Sequence, residues 1–212
     1  KNKFASAALK WFETKFLPVY NNSMTGIIKN EAEILQEFPA DYTILDIETT
    51  GLSPYKCEII ELSAIKVRNN CIVDKFSSLV KPDQSINSFI TGLTGITNDM
   101  VESAPDITAV LPEFMKFIEN DCVLGHNVSF DIRFIAANLK KHFSGEFKNS
   151  RLDTMYLSKR YCTLPNHKLE SLANHYNVNT KGHHRAMDDC MMTFEVYKNI
   201  KNDVINSANE VV

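Results

Sequence analysis

The sequence predicts an α/β fold, a mixed central sheet flanked by helices, with a helical extension ahead of it. Three observations carry this reading. A buried apolar strand begins at Thr43, two β-rich runs joined by Asn69-Asn70 follow it, and short strand segments then alternate with stretches of helical period. At 212 residues and 44% hydrophobic content, the chain suits one globular domain with an appendage. A net charge of −3 argues against a protein that coats long nucleic acid through a broad basic surface, but not against a pocket that takes one strand end. The five cysteines are odd in number, scattered, and include no Cys-x-x-Cys pair, so neither a disulfide framework nor a zinc ribbon is supported. A reducing, cytoplasmic compartment is expected. Lys10, Glu13 and Lys15 interrupt the apolar residues of the amino end, so no signal or membrane segment is expected there and no membrane partner.

Residues 1–40 read as two short helices, one carrying Phe4, Ala8, Trp11, Phe12 and Phe16, the other Ile27, Ile28, Ala32, Ile34 and Leu35. Pro18 and the Asn21-Asn22-Ser23 cluster separate them. An apolar stripe of this kind is read as folded back on its own domain, with docking to a partner protein as the alternative. The main domain is placed at residues 41–203 and a short tail at 204–212. Within the domain, Glu58 to Val67 and Cys71 to Val80 form a hairpin through Asn69-Asn70. Pro82 to Thr97 reads as a loop. Ile107, Val110, Leu111, Phe114, Phe117 and Ile118 keep helical spacing, with Pro112 marking a kink or the true start. A short strand from Cys122 to Gly125 leads into a helix whose core stripe holds Phe130, Phe134 and Ala137. Leu152 to Tyr161 and Lys168 to Tyr176 read as short helices, and a last helix runs from about Ala186 to Ile200, with fraying after Asp203.

The chemistry gathers around Thr43-Ile44-Leu45-Asp46-Ile47-Glu48-Thr49-Thr50-Gly51-Leu52. Alternation along a strand puts Ile44, Asp46 and Glu48 on one face and Leu45 and Ile47 on the other. Two carboxylates that close repel, and burying either one unpaired is costly, so a divalent cation at the strand's carboxyl end is the sharp reading. A solvated strand end is the bland one. Asp131 falls in the first turn of a helix directly after a second strand, where the helix dipole favours its ionised form. Near the carboxyl end, Ala186, Asp189, Thr193, Val196 and Ile200 form one helical stripe, so Asp189 points inward while Asp188 faces solvent beside Glu195 and Asn199. A histidine just ahead of that helix is placed to act as a base near neutral pH.

Together, Asp46-Ile-Glu48-Thr-Thr-Gly-Leu, His126-Asn-x-x-Phe130-Asp131 and His184-Arg-Ala-x-x-Asp189 resemble the DnaQ-like, DEDDh class of 3′-5′ exonucleases. Within that class the chain is most similar to bacterial proofreading domains, from about Tyr42 to Asp203. The resemblance implies an RNase H-like fold and two-metal phosphodiester hydrolysis with Mg²⁺ or Mn²⁺. It implies that Asp46, Glu48 and Asp189 hold a first ion, that Asp46 bridges to a second, and that Asp131 completes the cluster through water. His184 is the implied general base. The family's His-x-Ala-x-x-Asp spacing fits His184 with Asp189 rather than His183 with Asp188, and the tyrosine subclass is disfavoured because Arg185 stands at its base position. Thr50, Gly51, Leu52 and Phe130 match positions that embrace the terminal nucleotide. Asn127 and His126 serve more to fix their loop. Epsilon-type members often carry a histidine where this chain has Thr94, which bears on contact with the terminal phosphate or base. The implied substrate is the 3′ end of single-stranded or frayed DNA, with nucleoside 5′-monophosphates released and a DNA polymerase as a possible partner. RNA trimming by the same fold and a non-catalytic binding module are the rival readings.

Overall fold

The computed structural model describes residues 38–180 and 184–209. The two amino-terminal helices expected within residues 1–40, and His183, lie outside the described residues. Five strands form one mixed sheet: β1 (Tyr42–Thr49), β2 (Ile59–Arg68), β3 (Cys71–Leu79), β4 (Val123–Gly125) and β5 (Arg151–Asp153). Their order is β3-β2-β1-β4-β5. The β1–β2 and β2–β3 pairs are antiparallel, and the β1–β4 and β4–β5 pairs are parallel. Asn69 and Asn70 turn the β2–β3 hairpin with φ of 51° and 60°, the left-handed pair that matches strand twist and that asparagine tolerates.

Seven helices are present among the described residues: α1 (Ser88–Thr94), α2 (Asn98–Glu102), α3 (Ile107–Ile118), α4 (Ser129–Phe143), α5 (Thr154–Tyr161), α6 (Leu169–His175) and α7 (Ala186–Asn209). None is long and apolar enough to cross a membrane. The stretch read as a loop over Pro82 to Thr97 contains α1. Asn87 caps it by accepting the Ile90 N–H at 3.0 Å, and Gly95 ends it with φ of 70°. Pro112 lies inside α3 rather than at its start, because Asp106 caps the helix a turn earlier through the N–H groups of Thr108 and Ala109. Residues 151–153 add the short parallel strand β5 ahead of α5. The last helix continues to Asn209, past the expected fray after Asp203, because Val204 is buried and Ile205 packs on the same core.

The period-two pattern of β1 divides the interior in two. Tyr42 and Ile44 face α7, in a core with Phe194, Tyr197 and Ile200. Leu45 and Ile47 face α3 and α4, in a core with Leu111, Phe114, Phe134 and Ile135. A third cluster, Ile60, Ile86, Ile90, Ile96 and Val101, fixes α1 and α2 beside β2. At the opposite end of the sheet from the acids, Arg68 donates twice to the Asp121 carboxylate at 2.9 Å, and Thr43 donates to the same group. The lower ends of β1, β2 and β4 are thereby tied together, which sets the level at which their upper ends finish.

Gly125 ends β4 and lets the chain turn at once into the segment that carries Asp131. A Cβ there would stand 2.9 Å from the Val128 Cβ and 3.2 Å from the Leu45 carbonyl oxygen, neither of which can swing away. Gly125→Ala is expected to cost about 1–3 kcal/mol through this overpacking, read as a lower urea midpoint with an unchanged m-value.

Candidate active site

Asp46 and Glu48 reach the α7 side of the sheet at the end of β1, as strand alternation requires. Asp189 comes to them from the first turn of α7 and is buried, whereas Asp188 is exposed, in accord with helical phase. Asp46, Glu48 and Asp189 each offer a carboxylate oxygen, and these oxygens lie within 4.8 Å of one another. Asp131, in the first turn of α4, stands beside this group. Its Oδ1 accepts the Ile47 N–H at 3.1 Å, which joins the start of α4 to β1 between the two acids of that strand.

The electrostatics are those of crowded like charges removed from water. Burial raises the Asp46 carboxyl well above its ordinary value, and Asp131, Asp189 and Glu48 add repulsion. Burial pushes Glu48 up to about 8, with Asp189, Glu61 and Asp131 adding to it and Arg185 opposing. Burial also pushes Asp131 up to about 8, against the hydrogen bonds it accepts from the backbone. Three convergent oxygen donors, of which Asp46 and Glu48 resist ionisation, fit a hard divalent cation, whose charge reverses the balance.

The approach to α7 is held by contacts that the sequence did not advertise. Glu61 on β2 stands opposite Glu48 in the antiparallel register and is 2% exposed. Two acids facing each other across strands are unfavourable. Arg185 resolves the conflict by donating from Nε at 3.2 Å and from a terminal nitrogen at 2.8 Å to the two Glu61 oxygens, while the Ala186 N–H donates to the same carboxylate at 3.0 Å. Glu61 thus caps α7 and clamps the residue next to His184. The signal for it was a lone acid inside the apolar run Ile59-Ile60-Glu61-Leu62. His184 itself adopts φ of 73°, a left-handed conformation uncommon for a residue with a side chain, and its N–H donates to Asp189 Oδ2 at 3.2 Å.

Around the acids, Thr50 accepts the Glu58 N–H through its hydroxyl at 2.9 Å, and its own N–H donates to the Glu58 carbonyl at 2.9 Å. Gly51 lies so close to Cys57 that a Cβ would stand 2.7 Å from its Sγ, and Leu52 is 83% exposed. Phe130 packs against Phe134 with ring centroids 5.1 Å apart. Asn127 has φ of 62° and its N–H donates to Asp153, and the His126 ring hydrogen-bonds Thr154. Thr94, expected among the substrate-binding positions, lies at the end of α1. It is buried, its hydroxyl donates to the Ile90 carbonyl at 2.9 Å and accepts the Ile96 N–H at 3.1 Å, and the adjacent residue that faces solvent is Leu93.

With this geometry in view, comparison with known proteins places the chain in a class. A family model described as exonuclease matches residues 43–197, and the chain belongs to that family. Its relatives are of the DNA polymerase III kind. A PolC-type DNA polymerase III from Caldanaerobacter subterraneus is 42% identical over 172 residues, covering 81% of this chain and 12% of that protein. The DNA polymerase III subunit epsilon of Aquifex aeolicus is 38% identical over 157 residues, covering 74% of this chain and 78% of that one. The chain therefore spans only 12% of the length of the PolC-type relatives. Among solved structures, Exonuclease X in complex with 5′ overhanging duplex DNA is 28% identical with a TM-score of 0.63, covering 76% of this chain and 90% of that one. Exonuclease I of E. coli in complex with an oligonucleotide has a TM-score of 0.69 at 20% identity over 82% of this chain and 43% of that one, a likeness of fold. The sheet and helices are those of the RNase H-like exonuclease fold.

Two outcomes follow from the site's charges. In the metal-free protein, Glu48 and Asp131 hold protons in the folded state up to about 8, whereas the unfolded chain releases them near 4.5 and 3.8. The folded state therefore binds more protons across that window, and stability falls as pH rises through it. Thermal unfolding without metal should give a midpoint that drops from about pH 5 to about pH 8, and added Mg²⁺ should raise it more at the upper end. A flat metal-free profile would contradict the buried cluster. Glu61→Gln should weaken metal binding or kcat by about 10–100-fold, as loss of a supporting partner does, measured by metal titration of a folded variant.

Proposed function

We propose that this chain is a metal-dependent 3′-5′ exonuclease that hydrolyses the terminal phosphodiester of DNA 3′ ends and releases nucleoside 5′-monophosphates, in the manner of a proofreading domain. The convergence of Asp46, Glu48 and Asp189 within 4.8 Å at one strand end carries this reading. Asp46, Glu48 and Asp189 would hold Mg²⁺ or Mn²⁺, with Asp131 completing the acidic cluster beside them. Such ions supply an activated water and stabilise charge on the attacking and leaving oxygens. His184 takes the proton of the attacking water on its imidazole, and the clamp of Arg185 on Glu61 keeps that residue at the edge of the cluster. Gly51 brings backbone close to the substrate, and Leu52 and Phe130 offer apolar surface to the terminal base and sugar. Thr94 holds the end of α1, the segment that meets the substrate from that side. Asn127 shapes the loop that presents Phe130.

The described exonuclease domain of residues 41–203 works with a DNA polymerase, a reading supported by relatives named as polymerase III components. Residues 204–209 continue the last helix. A reducing cytoplasm suits both the free cysteines and this partner.

The test is a nuclease panel of DNA and RNA strands, each with a free or a blocked 3′ end, with and without chelator. Stepwise shortening of DNA from free 3′ ends only, abolished by chelation, is the expected result. Internal cleavage of the blocked strand would overturn it. His184→Ala in saturating metal should lower kcat by about 10²–10⁴-fold and flatten the rise of activity through the histidine range of pH.

A further inference from the structure

A second concavity, distinct from the carboxylate cluster, opens on the side of the sheet covered by α3 and α4. It is a groove of about 1190 Å³ between the 52–59 loop, residues 80–84, the start of α3 and one face of α4. Its floor is apolar, with Ile59, Val80 and Ala137. Its walls carry five cations: Lys56 on the loop, Lys81 after β3, and Arg133, Lys140 and Lys141 on α4. All five are exposed, and none forms an ion pair among the described residues. Three carboxylates also line the groove, and two of them are engaged. Glu58 accepts the N–H groups of Asp83 and Gln84, and Asp106 caps α3. Five cations against three acids in one groove, in a chain of net charge −3, concentrate positive charge that no ion pair among the described residues neutralises.

The groove also starts where the candidate active site ends. Leu52, which follows the acids of β1, lines it. Arg133 lies over the ring of Phe130 at 6.0 Å, the residue that offers apolar surface to the terminal nucleotide in the proposed function. Tyr55, 90% exposed, stands at the same mouth and offers a ring on which a base can stack. Spaced cations over an apolar floor, with an aromatic at the entrance, suit a phosphodiester strand whose bases are unpaired.

We propose that this groove takes the single-stranded polynucleotide upstream of the 3′-terminal nucleotides, with Lys56, Lys81, Arg133, Lys140 and Lys141 on its phosphates and Tyr55 stacked on a base. The proposal rests on the exonuclease reading for the position of the 3′ end. It assigns the strand a path down the α4 face, away from α7, and it makes the reaction depend on substrate length.

The experiment compares kcat/KM for a dinucleotide and for longer oligothymidylates and oligouridylates, in the full chain and in a Lys140→Glu/Lys141→Glu variant whose fold is checked by circular dichroism. The expected result is that the ratio of long to short kcat/KM falls about tenfold in the variant, and that the salt slope of long-strand binding shrinks by about 0.7 for each phosphate no longer neutralised. The neutral Lys140→Gln/Lys141→Gln variant should fall between. Equal losses on deoxy and ribo strands identify the shared phosphodiester as the ligand, and a loss on one alone still supports the path for that strand. An unchanged ratio and salt slope would overturn the proposal, as would long-strand kinetics of wild type combined with failure to bind a polymerase partner, which assigns the groove to protein. Fluorescence anisotropy of a labelled oligothymidylate on the chelated chain reads the groove without catalysis. A variant that binds as tightly as wild type there overturns the groove alone, whereas a wild-type chain that binds but never cleaves overturns the exonuclease reading.

Discussion

Four carboxylates are crowded at one end of one strand, and the surrounding architecture is an answer to their repulsion. Asp46, Glu48 and Asp189 converge, Asp131 stands beside them, and burial opposes ionisation of Asp46, Glu48 and Asp131. Left to themselves, such groups would move apart or take up protons. They stay because backbone donors pin them: the Ile47 N–H holds Asp131, and the His184 N–H holds Asp189. Glu61 adds a fifth acid at the same level, and Arg185 together with the start of α7 neutralises it. The arrangement could hold a cation as it stands, and the stability given up in holding it is of the kind that functional sites draw from the rest of a fold.

The two halves of the sheet share the work unequally. The long antiparallel pairs of β1, β2 and β3 supply a stiff platform, secured at its lower end by Arg68 and Asp121. The short parallel strands β4 and β5 contribute little pairing but aim the turns at Gly125 and Asp153 toward the acids. Ligands gather at the carboxyl ends of such parallel strands because helix starts and loops converge there.

Much of this was legible in residue order. Alternation in β1 assigned its acids to one face, and helical phase separated Asp189 from Asp188. What escaped had physical reasons. Helix α1 is seven residues long and leaves Phe89 exposed while burying Ile90, so it shows no clean amphipathic period. Strand β5 has three residues, fewer than alternation needs to show itself. Glu61 interrupts an apolar strand with a charge, a pattern that reads as a solvent-facing position until its partner, 124 residues away, is known. Thr94 is polar and yet turned inward, because its hydroxyl serves the helix end instead of solvent.

The docking of α7 against β1 and β2 has a consequence for how the protein is made. The first acids of the cluster lie at residues 46 and 48, and the last arrives only with a helix that begins at Ala186. A chain emerging from a ribosome can build the hairpin, and even the parallel strands, while holding an incomplete set of these acids. The three convergent carboxylates therefore come together only once α7 has docked on the sheet.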